Sequence, residues 1–220
     1  MTKRIFITGI VQGVGFRPCC KKVADEMKIS GTVRNLGGNA EIVIKCDNRV
    51  SEEFLRRLVS LLPDEAKFNS VNIEDAPEFE GEGFSIIESG SDDRYLPEII
   101  PDIATCEGCL LELENKSDRR YLHPFISCAA CGPRYSIINK LPYDRENTLM
   151  GKFALCDKCL DEYTSPTDRR LHAQTVACKD CGPELAWRGR QDEALPLDSA
   201  VAAIKNGGVI AVKDIGGYHF

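Results

Sequence analysis

Eight of the eleven cysteines fall into two copies of C-x2-C-x18-C-x2-C: Cys106, Cys109, Cys128 and Cys131, then Cys156, Cys159, Cys178 and Cys181. Each position recurs 50 residues later. The repeat extends past the cysteines, because Leu110, Glu112, Asp118, Arg119, Arg120, Gly132 and Pro133 return as Leu160, Glu162, Asp168, Arg169, Arg170, Gly182 and Pro183. Self-similarity at a fixed period marks a duplicated structural unit. Four thiolates in two CxxC pairs suit a tetrahedral zinc ion, and the glycine after each last cysteine permits a tight knuckle that turns backbone amides toward sulfur. The eight cysteines are therefore read as ligands of two zinc ions. Iron is chemically possible in a four-thiolate site, although zinc is the commoner occupant. With every position filled by cysteine, none stays open for substrate, so the metals are expected to be structural. Ligation within each copy is the preferred pairing, and exchange of CxxC pairs between the copies remains geometrically open.

Composition narrows the class. A chain of 220 residues, 43% hydrophobic and 28% charged, is long enough for one or two compact domains and reads as globular and soluble. No apolar run approaches the roughly 18 residues that span a bilayer, and Met1-Thr2-Lys3-Arg4 leads into a short strand instead of a signal-peptide core. Paired CxxC motifs without a secretion signal point to reduced thiolates in the cytoplasm. A formal net charge of −6 weighs against broad nucleic-acid binding.

The expected fold class is α+β, in four stretches. Residues 1–90 carry no metal signature. Lys3 to Thr8 alternates as a strand, Pro18 with Val23, Ala24 and Met27 suggests a helix, and strands Gly31–Leu36 and Ala40–Cys46 meet across the turn residues Gly37-Gly38-Asn39. Ser51 is the expected N-cap of a helix through Leu62, with Glu52 and Glu53 at its positive end. Strands near Val71–Ile73 and Phe84–Ile87 complete a β-α-β-β-α-β, ferredoxin-like order. Residues 91–105, acidic and with two prolines, read as a linker, and 106–188 hold the tandem cysteine unit. In 189–220, Asp198 is the expected N-cap of a short helix through Asn206, followed by Gly207-Gly208 and a buried strand, Val209–Val212. About 30 residues cannot bury a core, so this stretch reads as the start of a larger unit.

A second chemical motif lies in the first stretch. Gly9-Ile10-Val11-Gln12-Gly13-Val14-Gly15-Phe16-Arg17 ends a strand and opens a helix. Glycines at 13 and 15 let amides crowd around an anion, and the helix N-terminus adds partial positive charge. Arg17 at the rim offers a planar fork for two phosphate oxygens. Gly31-Thr32-Val33-Arg34-Asn35 puts an amide on a neighbouring strand, where it can accept a hydrogen bond from a water aimed at phosphorus. Neither motif contains His, Asp or Glu, so positioning and charge stabilisation must carry any chemistry. An acyl phosphate suits such a site, since its leaving group is a weak base.

These two motifs resemble the acylphosphatase family over essentially all of residues 1–90. The resemblance implies that Arg17 binds the phosphate, that Asn35 positions the attacking water, and that Gln12, Gly13, Val14, Gly15 and Phe16 line the substrate. His123 and His172, one register apart in the two copies, are read as packing histidines or as contacts to substrate or another domain within Asp118–Pro124 and Arg169–Gln174. Cys19, Cys20 and Cys46 lack ligand spacing and read as core residues.

The order of the parts is similar to the N-terminal half of the hydrogenase-maturation carbamoyltransferases, the HypF family, with Lys205–Phe220 resembling the opening of a YrdC-like domain. That resemblance implies a relay. Carbamoyl phosphate is hydrolysed to phosphate and carbamate, and the YrdC-like domain couples carbamate to ATP, with magnesium. A further domain passes the carbamoyl group to the C-terminal cysteine of HypE, for the cyanide of the [NiFe] centre. This chain stops before the ATP- and HypE-binding parts, so it is expected to hold the first half-reaction at most. The alternative is a zinc-finger module for protein or tRNA with an inactive acylphosphatase-like domain; the net charge of −6 weighs against the tRNA form of it, and the intact Arg17 and Asn35 weigh against inactivity.

Overall fold

The computed structural model describes residues 1–91, 98, 100–189 and 195–220. Its first part is built on β1 (Thr2–Ile10), α1 (Phe16–Met27), β2 (Gly31–Leu36), β3 (Asn39–Ile44), α2 (Asn48–Leu61), β4 (Lys67–Ala76) and β5 (Phe84–Ile86). The strands form a five-stranded sheet in the order β4-β1-β3-β2-β5. Pairing is antiparallel except where β5 runs parallel to β2. Alternation explains the buried face, since every second residue of a strand points the same way. Ile5 and Ile7 of β1 and Ile42 and Ile44 of β3 meet Cys20, Val23 and Ala24 of α1 and Phe54 and Leu58 of α2 in one core. Each such aliphatic side chain contributes about 1.5–3 kcal/mol of burial. This is the ferredoxin-like α+β arrangement expected, with β5 as an added edge strand. Cys20 is fully buried in that core and Cys19 and Cys46 pack against it.

Several local expectations need correction. The cap of α2 is Asp47, whose carboxylate accepts from the Val50 amide at 2.8 Å. Ser51 lies inside the helix and its hydroxyl donates to the Asn48 carbonyl, because an aspartate four residues earlier offers the stronger acceptor. Glu52 and Glu53 consequently fall beyond the first turn, and Glu53 pairs with Arg56 and Arg57. β4 spans ten residues where only three were expected; its side chains are almost all solvent-facing, which leaves no apolar period to read.

The cysteine-rich part has two short helices, α3 (Glu107–Glu114) and α4 (Asp157–Thr164), capped at the same repeat position by Cys106 and Cys156. Between them lie three 3-10 turns, Tyr135–Ile137, Arg145–Asn147 and Leu149–Lys152. Part of the stretch read as a linker is docked: Ile100 is buried in the first core, and Ile103 and Gly132 exchange backbone hydrogen bonds at 3.0 and 2.9 Å. Residues 92–97 and 99 of that stretch lie outside the described residues.

At the far end, α5 (Pro196–Lys205) starts with proline in its first turn and Leu195 as N-cap, so Asp198 sits in the first turn and not at the cap. The expected buried strand Val209–Val212 is instead a short exposed hairpin of β6 (Val212–Lys213) and β7 (Tyr218–His219), with Val209 82% exposed. Nothing in the described residues covers these apolar side chains, and burial is what an apolar run needs to become a core strand.

Candidate active site and the paired cysteine clusters

The loop between β1 and α1 takes the shape its glycines allow. Gly13 and Gly15 have φ of +73° and +72°, the left-handed region that side chains with a Cβ rarely adopt. Gly13 also has no room to spare, since a Cβ there would lie 3.0 Å from Ile100 Cγ2 and from Arg134 Cδ. Val14 and Phe16 turn into the core. Gln12 is committed on both ends of its amide: Nε2 donates to the carbonyls of Gly37 and Asn39 at 2.8 and 2.9 Å, and Oε1 accepts from the Tyr143 amide at 2.8 Å. Its role in this arrangement is to tie the loop to the β2–β3 hairpin and to the cysteine-rich part.

Arg17 and Asn35 come together on a cavity of about 30 Å³, with Gln12, Gly13 and Gly15. Asn35 is 1% exposed, and among the described residues neither its Nδ2 nor its Oδ1 has a hydrogen-bond partner. A buried amide left unpaired costs about 1–3 kcal/mol, so such groups call for a reason. Arg17 pairs with Asp144 at 2.8 Å, both side chains being mostly buried.

Part of the cavity wall comes from outside the two motifs, and three of its residues lie in the Arg169–Gln174 stretch read from the sequence as a contact to substrate or to another domain. Ala129, Arg134, Tyr143, His172, Ala173 and Gln174, all from the cysteine-rich part, complete it. Arg134 donates to the Gly13 carbonyl at 2.5 Å and to the carbonyls of Cys131, Pro133 and Ala129 at 3.0 Å, and it lies over the Tyr143 ring. Of the two histidines, His172 faces the cavity and packs at a tilt against the Tyr163 ring, with centroids 5.2 Å apart. Burial, with Arg17 adding positive charge, pushes its imidazole down to about 4. His123 is buried elsewhere with Nε2 unpaired, and burial, reinforced by Arg120 and Lys179, likewise pushes it down to about 4. The position equivalent to His172 in the first copy is Leu122, and both have positive φ, so the backbone repeats there while the histidine does not.

The eight cysteines gather into two groups, Cys106–Cys109–Cys128–Cys131 and Cys156–Cys159–Cys178–Cys181, so the pairing is within each copy. Sγ–Sγ separations of 3.6–3.8 Å link the first group, and 3.7 and 3.8 Å separations occur in the second. A tetrahedron with metal–sulfur bonds of about 2.3 Å has edges of about 3.8 Å, whereas a disulfide needs about 2.05 Å. The sulfurs therefore fit a tetrahedral metal, and amides of Ala130 and Asp180 point at Cys128 and Cys178 from 3.4 Å. Only Gly132 of the two knuckle glycines has a positive φ, +97°, but both are sterically required, as a Cβ would lie 2.6 Å from Ser127 Cβ or 2.7 Å from Ala177 Cβ.

The repeated Asp-Arg-Arg is what joins the copies. Arg119 reaches Cys159 Sγ at 2.6 Å, and Arg169 reaches Cys109 Sγ at 3.1 Å. Arg120 binds Glu162 and the Ala177 carbonyl, while Arg170 binds Glu112 and the Ser127 carbonyl. Burial opposes ionisation of Glu112 and Glu162, but the guanidinium groups outweigh it and hold both carboxyls below the usual range. Each copy thus supplies positive charge to the thiolates and helix of the other.

Fold and site together define an acylphosphatase domain followed by a pair of four-cysteine fingers. Residues 3–86 match the Acylphosphatase family, and residues 105–138 and 155–188 match the HypF finger. Carbamoyltransferase HypF of Synechocystis sp. is 49% identical over 223 residues, covering 99% of this chain and 29% of the relative. Crystal structures of full-length HypF in a phosphate- and nucleotide-bound form and of HypF from T. kodakarensis superpose with TM-scores of 0.93 and 0.84, each at 40% identity over 99% of this chain. The chain belongs to the HypF carbamoyltransferase family and corresponds to its N-terminal region, spanning about 29% of the length of the Synechocystis relative.

Proposed function

We propose that the chain hydrolyses an acyl phosphate, carbamoyl phosphate, to carbamate and inorganic phosphate at the cavity shared by Arg17 and Asn35. The observation that carries this reading is the unpaired, 1% exposed Asn35 amide facing the same cavity as Arg17. Substrate and water give those orphaned groups their partners.

In the proposed reaction the phosphate lies on the Gly13–Gly15 loop and against Arg17, and Asn35 Oδ1 accepts a hydrogen bond from the attacking water. The water oxygen bonds to phosphorus as the bond from phosphorus to the acyl oxygen breaks, and the electron pair leaves with carbamate. Arginine cannot serve as a base at neutral pH, so the water proton passes to a phosphate oxygen of the substrate. Loop amides and Arg17 stabilise the charge that builds on the phosphoryl oxygens, the kind of preorganised donor set worth about 10²–10³ in rate per donor.

The two four-cysteine sites would hold zinc with no vacant position, giving the metal a structural part. In the longer proteins of the family, carbamate would pass on to ATP- and magnesium-dependent activation and to a HypE-type partner. The setting would be the cytoplasm; among the described residues no helix is long and apolar enough to cross a membrane. The test is phosphate release from carbamoyl phosphate and acetyl phosphate by the wild type and by Arg17→Ala, after subtraction of spontaneous decay. Release that disappears in the variant supports the reading, and equal release by both overturns it.

A further inference from the structure

Arg17 stands in the wall between two cavities. The inner one, about 30 Å³, is lined by Gln12, Gly13, Gly15 and Asn35. The outer one, about 440 Å³, is lined by Ser89, Asp144, Glu146 and Tyr163. Among the described residues, Arg17 and His172 alone border both. The side-chain acceptors on Arg17 belong to the outer side: Asp144 Oδ1 takes Nη2 at 2.8 Å, and Ser89 Oγ lies 3.5 Å from Nη1. The Tyr143 carbonyl, 3.5 Å from Nη2, is a further acceptor, from the residue before Asp144.

From this arrangement we infer that Asp144, contributed by the segment between the two cysteine units, is a positioning residue that holds the Arg17 guanidinium against the inner cavity from behind. The inference rests on the reading of Arg17 as the phosphate ligand. An arginine side chain has many rotamers, and a site must suppress that freedom before binding can use the fork fully. Among the described residues of the first domain, Ser89 is the side chain that meets this guanidinium, and at 3.5 Å it is a weak restraint. Asp144 adds a charge-assisted bond in a mostly buried setting, where such bonds are strongest.

Asp144 is itself fixed with respect to the cradle. Its amide donates to the Pro142 carbonyl at 2.8 Å and its carbonyl accepts from the Asn147 amide at 2.9 Å. The preceding residue is bound by Gln12, which also ties the β2–β3 hairpin. One chain of contacts therefore sets the guanidinium, the loop and the Asn35 strand relative to each other. The outer-cavity carboxylates Glu88 and Glu146 make no ion pair with Arg17 among the described residues, which leaves Asp144 as its partner there.

The opposite arrangement has the opposite sign. If Asp144 merely occupied Arg17 in place of phosphate, removing the carboxylate would tighten phosphate binding. The experiment uses the zinc-loaded 220-residue chain, with inorganic phosphate as the probe, read by calorimetry and as a competitive inhibition constant. The variants are Asp144→Asn, which keeps the shape, Asp144→Glu, which restores charge at a different reach, and Arg17→Ala. The expected results are phosphate binding weakened about tenfold or more in Asp144→Asn, partial recovery in Asp144→Glu, and a rise in KM that exceeds the fall in kcat. In an Arg17→Ala background, Asp144→Asn should add little, as coupled residues are non-additive. Unchanged or tighter phosphate binding by Asp144→Asn, with Arg17→Ala still defective, would overturn this inference alone. Equal phosphate binding by wild type and Arg17→Ala would overturn the Arg17 reading and this inference with it.

Discussion

Arg134 Nε donates to the carbonyl of Gly13 at 2.5 Å across 121 positions of the chain. The same guanidinium binds the carbonyl of Cys131, a residue of the first cysteine group. One side chain thus holds both a cysteine knuckle and the loop proposed to bind phosphate.

The first prediction concerns that link. Stripping zinc with a chelator should abolish phosphate release together with the ordered finger, because the free energy of metal binding is what orders such a site. Arg134→Lys keeps a charge but cannot supply the same fork of donors. It should weaken phosphate binding about tenfold and lower stability by about 1–3 kcal/mol, the scale of charged hydrogen bonds, measured by denaturant unfolding with zinc retained. Full activity in the metal-free chain would contradict the link.

The second concerns the exchange of arginines between copies. Arg120 is 2% exposed and its removal would leave Glu162 without its main counter-charge. Breaking a buried pair from one side costs about 3–5 kcal/mol. Arg120→Ala should lose that much stability and some zinc affinity, and Arg120→Ala with Glu162→Ala should lose less than the two single changes added. A double-mutant cycle on unfolding free energy checks it.

The third concerns pH. His123 and His172 are both pushed down to about 4, below the unfolded value of about 6.5. Between those values the unfolded chain binds more protons than the folded one, so stability falls as pH drops through that window. For the fully buried His123 the loss by pH 4 is on the order of 3 kcal/mol. His123→Gln should narrow the gap in melting temperature between pH 7 and pH 5 relative to wild type. Neither histidine should add an inflection to the phosphate-release profile between pH 6 and 8, since both stay neutral there.

The fourth separates function from stability at Asn35. Its two unpaired amide groups burden the fold. Asn35→Leu, close in size and without polar atoms, should lower kcat about 10² or more while leaving the melting temperature unchanged or raised. A variant that melts lower yet hydrolyses normally would count against the assignment.

What could be read in the sequence was what repeats or what glycine dictates. The cysteine spacing anticipated both four-cysteine groups, and Gly13 and Gly15 anticipated the loop, because few other residues tolerate φ near +70°. The Asp-Arg-Arg repeat was visible, but its purpose was not, since it acts between copies and local patterns carry no such distance. On the finger side of the cavity, the Arg169–Gln174 stretch reads from the sequence as a contact, and Arg134 leaves a fainter trace: Gly-Pro is followed by Arg134 in the first copy and by Glu184 in the second, a break in the repeat at the residue that meets Gly13. Asp144 left none, being one acidic residue in a turn-rich segment whose partner is 127 residues earlier. Asp47 and Ser51 both carry capping side chains ahead of a plausible helical run, so the sequence alone does not choose between them.

The central claim is water attack at phosphorus in the cavity of Arg17 and Asn35. The most direct test is turnover of carbamoyl phosphate by the zinc-loaded chain in ¹⁸O-labelled water, with Arg17→Ala as the background control. The account predicts enzymatic release well above the variant, with one solvent oxygen in each phosphate formed. Release no faster than the variant, or label absent from phosphate and carried by the carbamate carbon, would contradict it.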